Sequence, residues 1–309
     1  MAKTFNEIKK YNPYHGKDGK FTGSGAASSV SPDRNYTMSE ELPRAHIQQL
    51  GENRPKNSFS YLGGHDKRPH GEGLKAGIGE RPYSELHAAM DEYGETEAVR
   101  AFTKHEDLIN VRSNVSMENF YDPKKNEIFV MARNAKYGSE SYWPFAVETH
   151  ECGHAIDANV TKRAPKSAFG PGDCLEGSKP GDMFSCAYKH GALKKALLED
   201  YQDLIKKSGS EDALQSNMWR DLGKEEEKRN FVQVSDMISA ANKNKWSLTN
   251  SHTAEYWNLD EKRVPTEVFA ECMSALTTDY RGRKRVQKYF PKTLAVMRDM
   301  MVEINTWEK

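Results

Sequence analysis

The four cysteines of this chain, Cys152, Cys174, Cys186 and Cys272, include no C-x-x-C pair. That argues against a cysteine-built structural zinc site, whose ligands usually come in such close pairs. Cys174 and Cys186 have the spacing to pair across a loop, though nothing requires it. No apolar run approaches membrane-spanning length, and the start, Met1-Ala2-Lys3-Thr4-Phe5-Asn6-Glu7, lacks the apolar core of a signal peptide. The expectation is a soluble protein of a reducing cytoplasm, with no membrane partner. Excess charge of either sign is missing too. Lys+Arg and Asp+Glu stand at 45 each, so no global field draws the chain to nucleic acid. Apolar content is low, at 37% against 29% charged, with mean hydropathy −0.85. Part of the 309 residues is therefore expected not to fold.

Residues 1–79 carry that expectation. They are rich in Gly, Ser, Pro, Asn, Lys and His, and their apolar residues are sparse and without period. One piece stands out: Lys10-Tyr11-Asn12-Pro13-Tyr14-His15-Gly16-Lys17-Asp18-Gly19-Lys20-Phe21-Thr22-Gly23. It resembles the N-P-x-H-x-x-x-G-x-F segment of bacteriophage head-morphogenesis and minor capsid proteins. That resemblance implies a phage or prophage origin, with phage virion proteins as partners. A flexible tail is the plainer reading.

A single domain is expected over residues 80–309. Ser84 to Tyr93, ended by Gly94, and Glu95 to Thr103 read as helices. Asn119 to Tyr121, a turn over Asp122 to Asn126, and Glu127 to Met131 read as a β-hairpin. A strand edge there is a place where an extended peptide can add itself to a sheet. Val160 to His190, rich in Gly, Pro and Lys, reads as a long loop or lid. Leu193, Leu197, Tyr201 and Leu204 fall at spacings of four, four and three, which predicts an amphipathic helix over Ala192 to Lys207. Helices over Glu211 to Arg229 and Phe231 to Ala241 follow, read as packing and cleft walls.

The chemistry lies in Ala146-Val147-Glu148-Thr149-His150-Glu151-Cys152-Gly153-His154-Ala155-Ile156-Asp157. His150 and His154 are i and i+4, so on a helix both imidazoles face one side and can bind one ion. Glu151 lies beside them, placed to take a proton from water. Phe145, Ala146, Val147, Ala155 and Ile156 surround the motif, and a chance pair of surface histidines would need no such apolar flanks. Pro144 sits where a first-turn proline belongs. A catalytic zinc site needs a third protein ligand.

That ligand is expected from Pro265-Thr266-Glu267-Val268-Phe269-Ala270-Glu271-Cys272-Met273-Ser274-Ala275-Leu276, which opens like a helix. Glu267 and Glu271 share one face, and two carboxylates on a partly buried face are costly unless a cation compensates them. Glu267 is read as the ligand, with Glu271 hydrogen-bonding a ligand histidine. Spacing alone leaves the reverse open. Asp157 is read as a second supporting carboxylate.

H-E-C-G-H with a downstream Glu267-Val268-Phe269-Ala270-Glu271 resembles the gluzincins, zincins whose third ligand is glutamate. With Val286-Gln287-Lys288 and Pro291-Lys292-Thr293, the last fifty residues look like the catalytic domain of the anthrax lethal factor type of metallopeptidase. In that family the first glutamate of E-x-x-A-E binds zinc, which favours Glu267. The family also places a transition-state tyrosine seven residues before that glutamate, where this chain has Asp260. Tyr256 and His252 are the nearby substitutes, or Tyr256 is simply a core aromatic. The reading is thus an α+β zincin-like domain, mostly helical with a small antiparallel sheet. Its expected activity is zinc-dependent hydrolysis of peptide bonds in a protein substrate. The alternatives are a virion protein with a merely structural zinc, or a delivered effector toxin with the same chemistry.

Overall fold

The computed structural model describes residues 21–22, 73–75, 80–114, 118–131, 145–164, 183–223, 231–249 and 251–308. Over these the chain is mostly helical, with one small mixed sheet, so the arrangement is α+β. Helices α1 (Glu80–Tyr93) and α2 (Thr96–His105) match the two runs expected around Gly94.

Strands β1 (Phe21–Thr22), β2 (Asn110–Asn114), β3 (Glu118–Asp122) and β4 (Glu127–Met131) lie in the order β1-β3-β4-β2. The β3–β4 hairpin is antiparallel, with Phe120 opposite Phe129. Its turn is closed by Asp122 Oδ1, which accepts from Lys124 N at 3.0 Å and Lys125 N at 3.3 Å. Asn126 takes the left-handed conformation there (φ 54°), which asparagine tolerates well. The sheet is not purely antiparallel as expected, because β2 runs parallel to β4 with Val111 opposite Ile128. The chain leaves β2, lays β3 on the far side, and returns as β4 between them. That puts the strand carrying buried Ile128 in the centre, where both of its edges are paired.

Two short pieces of the 1–79 stretch enter the fold. Phe21–Thr22 pairs antiparallel with β3, and Leu74, 1% exposed, lies in the hydrophobic core. The rest of that stretch up to Glu80, including the phage-like segment apart from Phe21–Thr22, lies outside the described residues.

Helix α3 (Ala146–Asn159) carries the two histidines, and every residue of it except Glu148 is buried. It starts after Phe145, which has φ 63°. Pro144, expected in its first turn, lies outside the described residues. The supposed lid is helical at both ends, with a 3-10 turn at Val160–Lys162 and α4 at Phe184–Ala187. Phe184 and Tyr188 belong to the core, which is why this part of the chain is held down, while 165–182 lie outside the described residues.

The remaining helices are α5 (Ala192–Ser208), α6 (Glu211–Gly223), α7 (Val232–Asn242), α8 (Ala254–Leu259), α9 (Arg263–Thr277), α10 (Tyr280–Tyr289) and α11 (Pro291–Thr306). Helix α5 buries Leu193, Leu197 and Tyr201 along one stripe, as its spacing requires, and ends at Gly209 (φ 89°). No helix among the described residues is long and apolar enough to cross a membrane. The most extensive helix contact joins α3 to α9, and α3 also packs on β3 and β4. A helix buried at every position but Glu148 has almost no solvent face, which accounts for apolar residues all round it.

Candidate metal centre

The α3–α9 contact depends on Gly153. A Cβ at that position would meet the Ala270 Cα at 3.0 Å and the Met273 Cβ at 3.1 Å. Without one, the two helices approach closely enough for their polar residues to meet. Ser274 Oγ donates to the Ala146 carbonyl at 2.9 Å, and Thr149 Oγ1 lies 3.1 Å from Thr278 Oγ1. These cross-links fix the register that sets Glu267 and Glu271 opposite the histidines.

His150, His154 and Glu267 come together, all buried. The two Nε2 atoms are 3.2 Å apart, and each lies 3.4 Å from Glu267 Oε2. His252 Nε2 approaches the same oxygen at 3.2 Å. Three imidazole nitrogens crowd one buried carboxylate oxygen, and those of His150 and His154 stand with it as three ligands around a common ion would. Ligands about 2.0–2.1 Å from a tetrahedral ion stand roughly 3.3–3.4 Å apart, close to the triangle seen here. The set can hold a metal ion. Among the described residues it is the set of His, Cys, Asp and Glu side chains whose ligand atoms all fall within 4.8 Å of one another.

Both oxygens of Glu267 are accounted for. Tyr256 donates its hydroxyl to Oε1, which leaves Oε2 turned to the imidazoles. Burial and the neighbouring Glu267 hold the Tyr256 phenol well above its usual range, so it stays a donor. The Tyr256 ring stacks on His252 (centroids 3.9 Å, 13°), and the Arg263 guanidinium lies 4.1 Å from its centre. The backbone around His252 is anchored to α7: Ser239 Oγ donates to the His252 carbonyl at 3.3 Å and accepts from Trp257 Nε1 at 2.8 Å. Asp260 is exposed.

Glu271 Oε1 lies 3.3 Å from His150 Nδ1, the nitrogen facing away from the ligand cluster. Burial works against charge on His150, but Glu271 and Glu267 outweigh it and raise its pKa. Burial likewise opposes charge on Glu267, yet His252 and His154 hold its carboxyl well below the usual range. Glu151, 4% exposed, is pushed up to about 7 by burial, opposed by His150 and His154.

Asp157 is turned elsewhere than its sequence assignment. Its two oxygens accept from Ser185 N and Ser185 Oγ, both at 2.6 Å, so it ties α4 to α3 instead of orienting a ligand. Cys152 and Cys272 are buried free thiols pushed well up by desolvation, and neither joins the ligand set. Cys186 is a free thiol, and Cys174 lies outside the described residues. Asp236 on α7, 2% exposed, is held well above the usual carboxylate range by burial and by the charge of Glu271. Sequence reasoning treats α7 as packing and passes over it. The available signal was a lone carboxylate in the otherwise uncharged run Phe231 to Ala241, where a charge needs a partner.

Neither a protein-family model, nor a curated protein, nor a solved structure matches this chain.

Proposed function

We propose that the chain is a zinc-dependent endopeptidase of the gluzincin kind, with a zincin-like domain over residues 80–309. The observation that carries this is the triangle of His150, His154 and Glu267 with Glu151 beside it. Two imidazoles and one carboxylate suit zinc better than the hard cations, which prefer all-oxygen shells. A zinc ion held there would supply Lewis acidity, polarising the scissile carbonyl and making water acidic enough to attack near neutral pH.

The chain's own residues do the rest. Glu151, beside the two histidines, takes the proton of the attacking water and returns it to the departing amine. Tyr256 holds Glu267 with one oxygen toward the ligand cluster. His252 stands against that same oxygen, and Glu271 keeps the His150 ring oriented. Sequence reasoning gives Tyr256 and His252 the task of stabilising the oxyanion. From the positions described above, Tyr256 takes it up only when its hydroxyl leaves Glu267 Oε1. Substrates are proteins or peptides in extended form, and a phage or prophage setting follows from the Asn12-Pro13 segment alone.

A purely structural zinc is the second reading, favoured by the closeness of His252 to Glu267. It needs four protein ligands, whereas His252 falls outside the mutually close set of three. The two readings separate in one assay. The full chain, loaded with zinc, is incubated with a library of unfolded proteins and the products are mapped by mass spectrometry. Cleavage at discrete bonds, abolished by phenanthroline and restored by added zinc, is the expected result. Zinc bound in full with no bond cut anywhere in the library would overturn the protease reading and leave the structural one.

A further inference from the structure

Arg263 opens α9 one turn before Glu267, at i and i+4, so the two side chains lie on one face of that helix. Its guanidinium carbon packs 4.1 Å from the centre of the Tyr256 ring, and the Tyr256 hydroxyl is bonded to Glu267 Oε1. The side chain is thus tied to the metal face of α9, yet it is only partly buried. A contact with an aromatic ring uses none of the five N–H donors of a guanidinium. Among the described residues Arg263 makes no ion pair, and its Nη1, a buried atom, has no hydrogen-bond partner. Leaving a buried donor unmade is costly. The position adds to that cost, because a cation in the first turn faces the positive end of the helix. Packing on Tyr256 accounts for where the arm lies. It does not account for a charged fork with an open donor.

We infer that Arg263 is a specificity residue, which receives a carboxylate of the peptide substrate beside the metal centre. The inference rests on the peptidase reading and names the substrate class for it. A guanidinium is always charged, and its planar fork fits a carboxylate with two parallel N–H···O bonds. Glu151, Glu267 and Glu271 crowd the centre with buried carboxyl groups, so an acidic group of the substrate settles best where a cation offsets them. Four residues of helix rise by about 6 Å, the length of about two residues of extended chain. The carboxylate therefore belongs within about two residues of the scissile bond. It can come from an Asp or Glu side chain or from the free C-terminus of the substrate. The chemistry is the same for both, and the experiment separates them.

Binding is read by fluorescence anisotropy on the full chain carrying Glu151→Gln, equilibrated with zinc, so that labelled peptides stay intact. Three sets of short peptides of mixed sequence are compared. One carries a single Asp or Glu and an amidated C-terminus, one is neutral and amidated, and one is neutral with a free C-terminal carboxylate. A carboxylate-bearing set should bind about 10-fold or more tightly than the neutral amidated set, and which set does so names the source. Adding Arg263→Gln should cut that advantage to within about 2-fold, since the amide offers no charge. Arg263→Lys keeps the charge without the fork and should lower the advantage by about 3-fold or more. Arg263→Glu should turn the preference toward peptides with a single Lys, which a residue that only packs on Tyr256 would not do. Equal binding of all three sets by the parent, or an advantage that survives Arg263→Gln, would overturn the inference. Should Arg263→Gln not fold, an advantage unchanged in Arg263→Lys would overturn it as well. Zinc content of the same preparations keeps the two readings apart. A carboxylate preference in a chain that holds no zinc would keep this site and remove the peptidase reading. Full zinc and peptide cleavage by the parent with no carboxylate preference would overturn this inference alone.

Discussion

Glu151→Gln is expected to keep its zinc and to lose peptide hydrolysis by about 10²–10⁴-fold. Glu151 stands between the two ligand histidines on α3, is almost fully buried, and has its carboxyl pushed up to about 7 by burial. A carboxylate beside the two histidines can take a proton from water and give it back to an amine. Glutamine has nearly the same shape and helix propensity but cannot accept the proton. The fall should therefore appear in kcat with little change in KM. Metal content, kcat and KM measured on the same preparations check this. Wild-type turnover with full metal would remove Glu151 from the chemistry. Loss of metal together with turnover would mean that its role is to hold the centre.

The second large effect concerns the two glutamates of α9. Glu267 Oε2 faces both ligand imidazoles at 3.4 Å, whereas Glu271 faces only the far nitrogen of His150. Glu267→Gln replaces the anionic ligand with a neutral amide that Tyr256 can still contact, so it should cost zinc affinity well over 100-fold. Glu271→Gln leaves all three ligands and weakens only the grip on His150, a loss of about 10- to 100-fold. Parallel chelator titrations measure both. Equal losses would argue that the two carboxylates share the metal, and a larger loss at Glu271 would exchange their roles.

The set that could hold a metal ion was legible because it rests on local periodicity. His150 and His154, like Glu267 and Glu271, are four apart, and an α-helix turns such pairs to one side whatever surrounds it. Helices α1, α2 and α5 were legible for the same reason, and the β3–β4 hairpin because Asp122-Pro123-Lys124-Lys125-Asn126 has turn chemistry. What escaped depends on which segments meet. The parallel pairing of β2 with β4 has no local signature. Asp157 was given a task by its closeness to His154 in sequence, but Ser185, 28 residues on, takes both of its oxygens. Asp236 is buried on α7, and the contact of α7 with α9 could not be read from α7 alone. Gly153 looks like a weak point in a helix until Ala270 is seen 3.0 Å from where its Cβ would stand.

The most direct measurement is the zinc content of the full-length protein, purified without chelator, equilibrated with zinc and freed of excess ion. It is taken alongside His150→Ala, which removes one of three ligands while α3 keeps a good helix former. The expected result is one zinc per chain in the parent, and most of it gone in the variant. A folded parent chain that holds no stoichiometric zinc, or a variant that holds as much as the parent, would contradict a metal centre built on His150, His154 and Glu267.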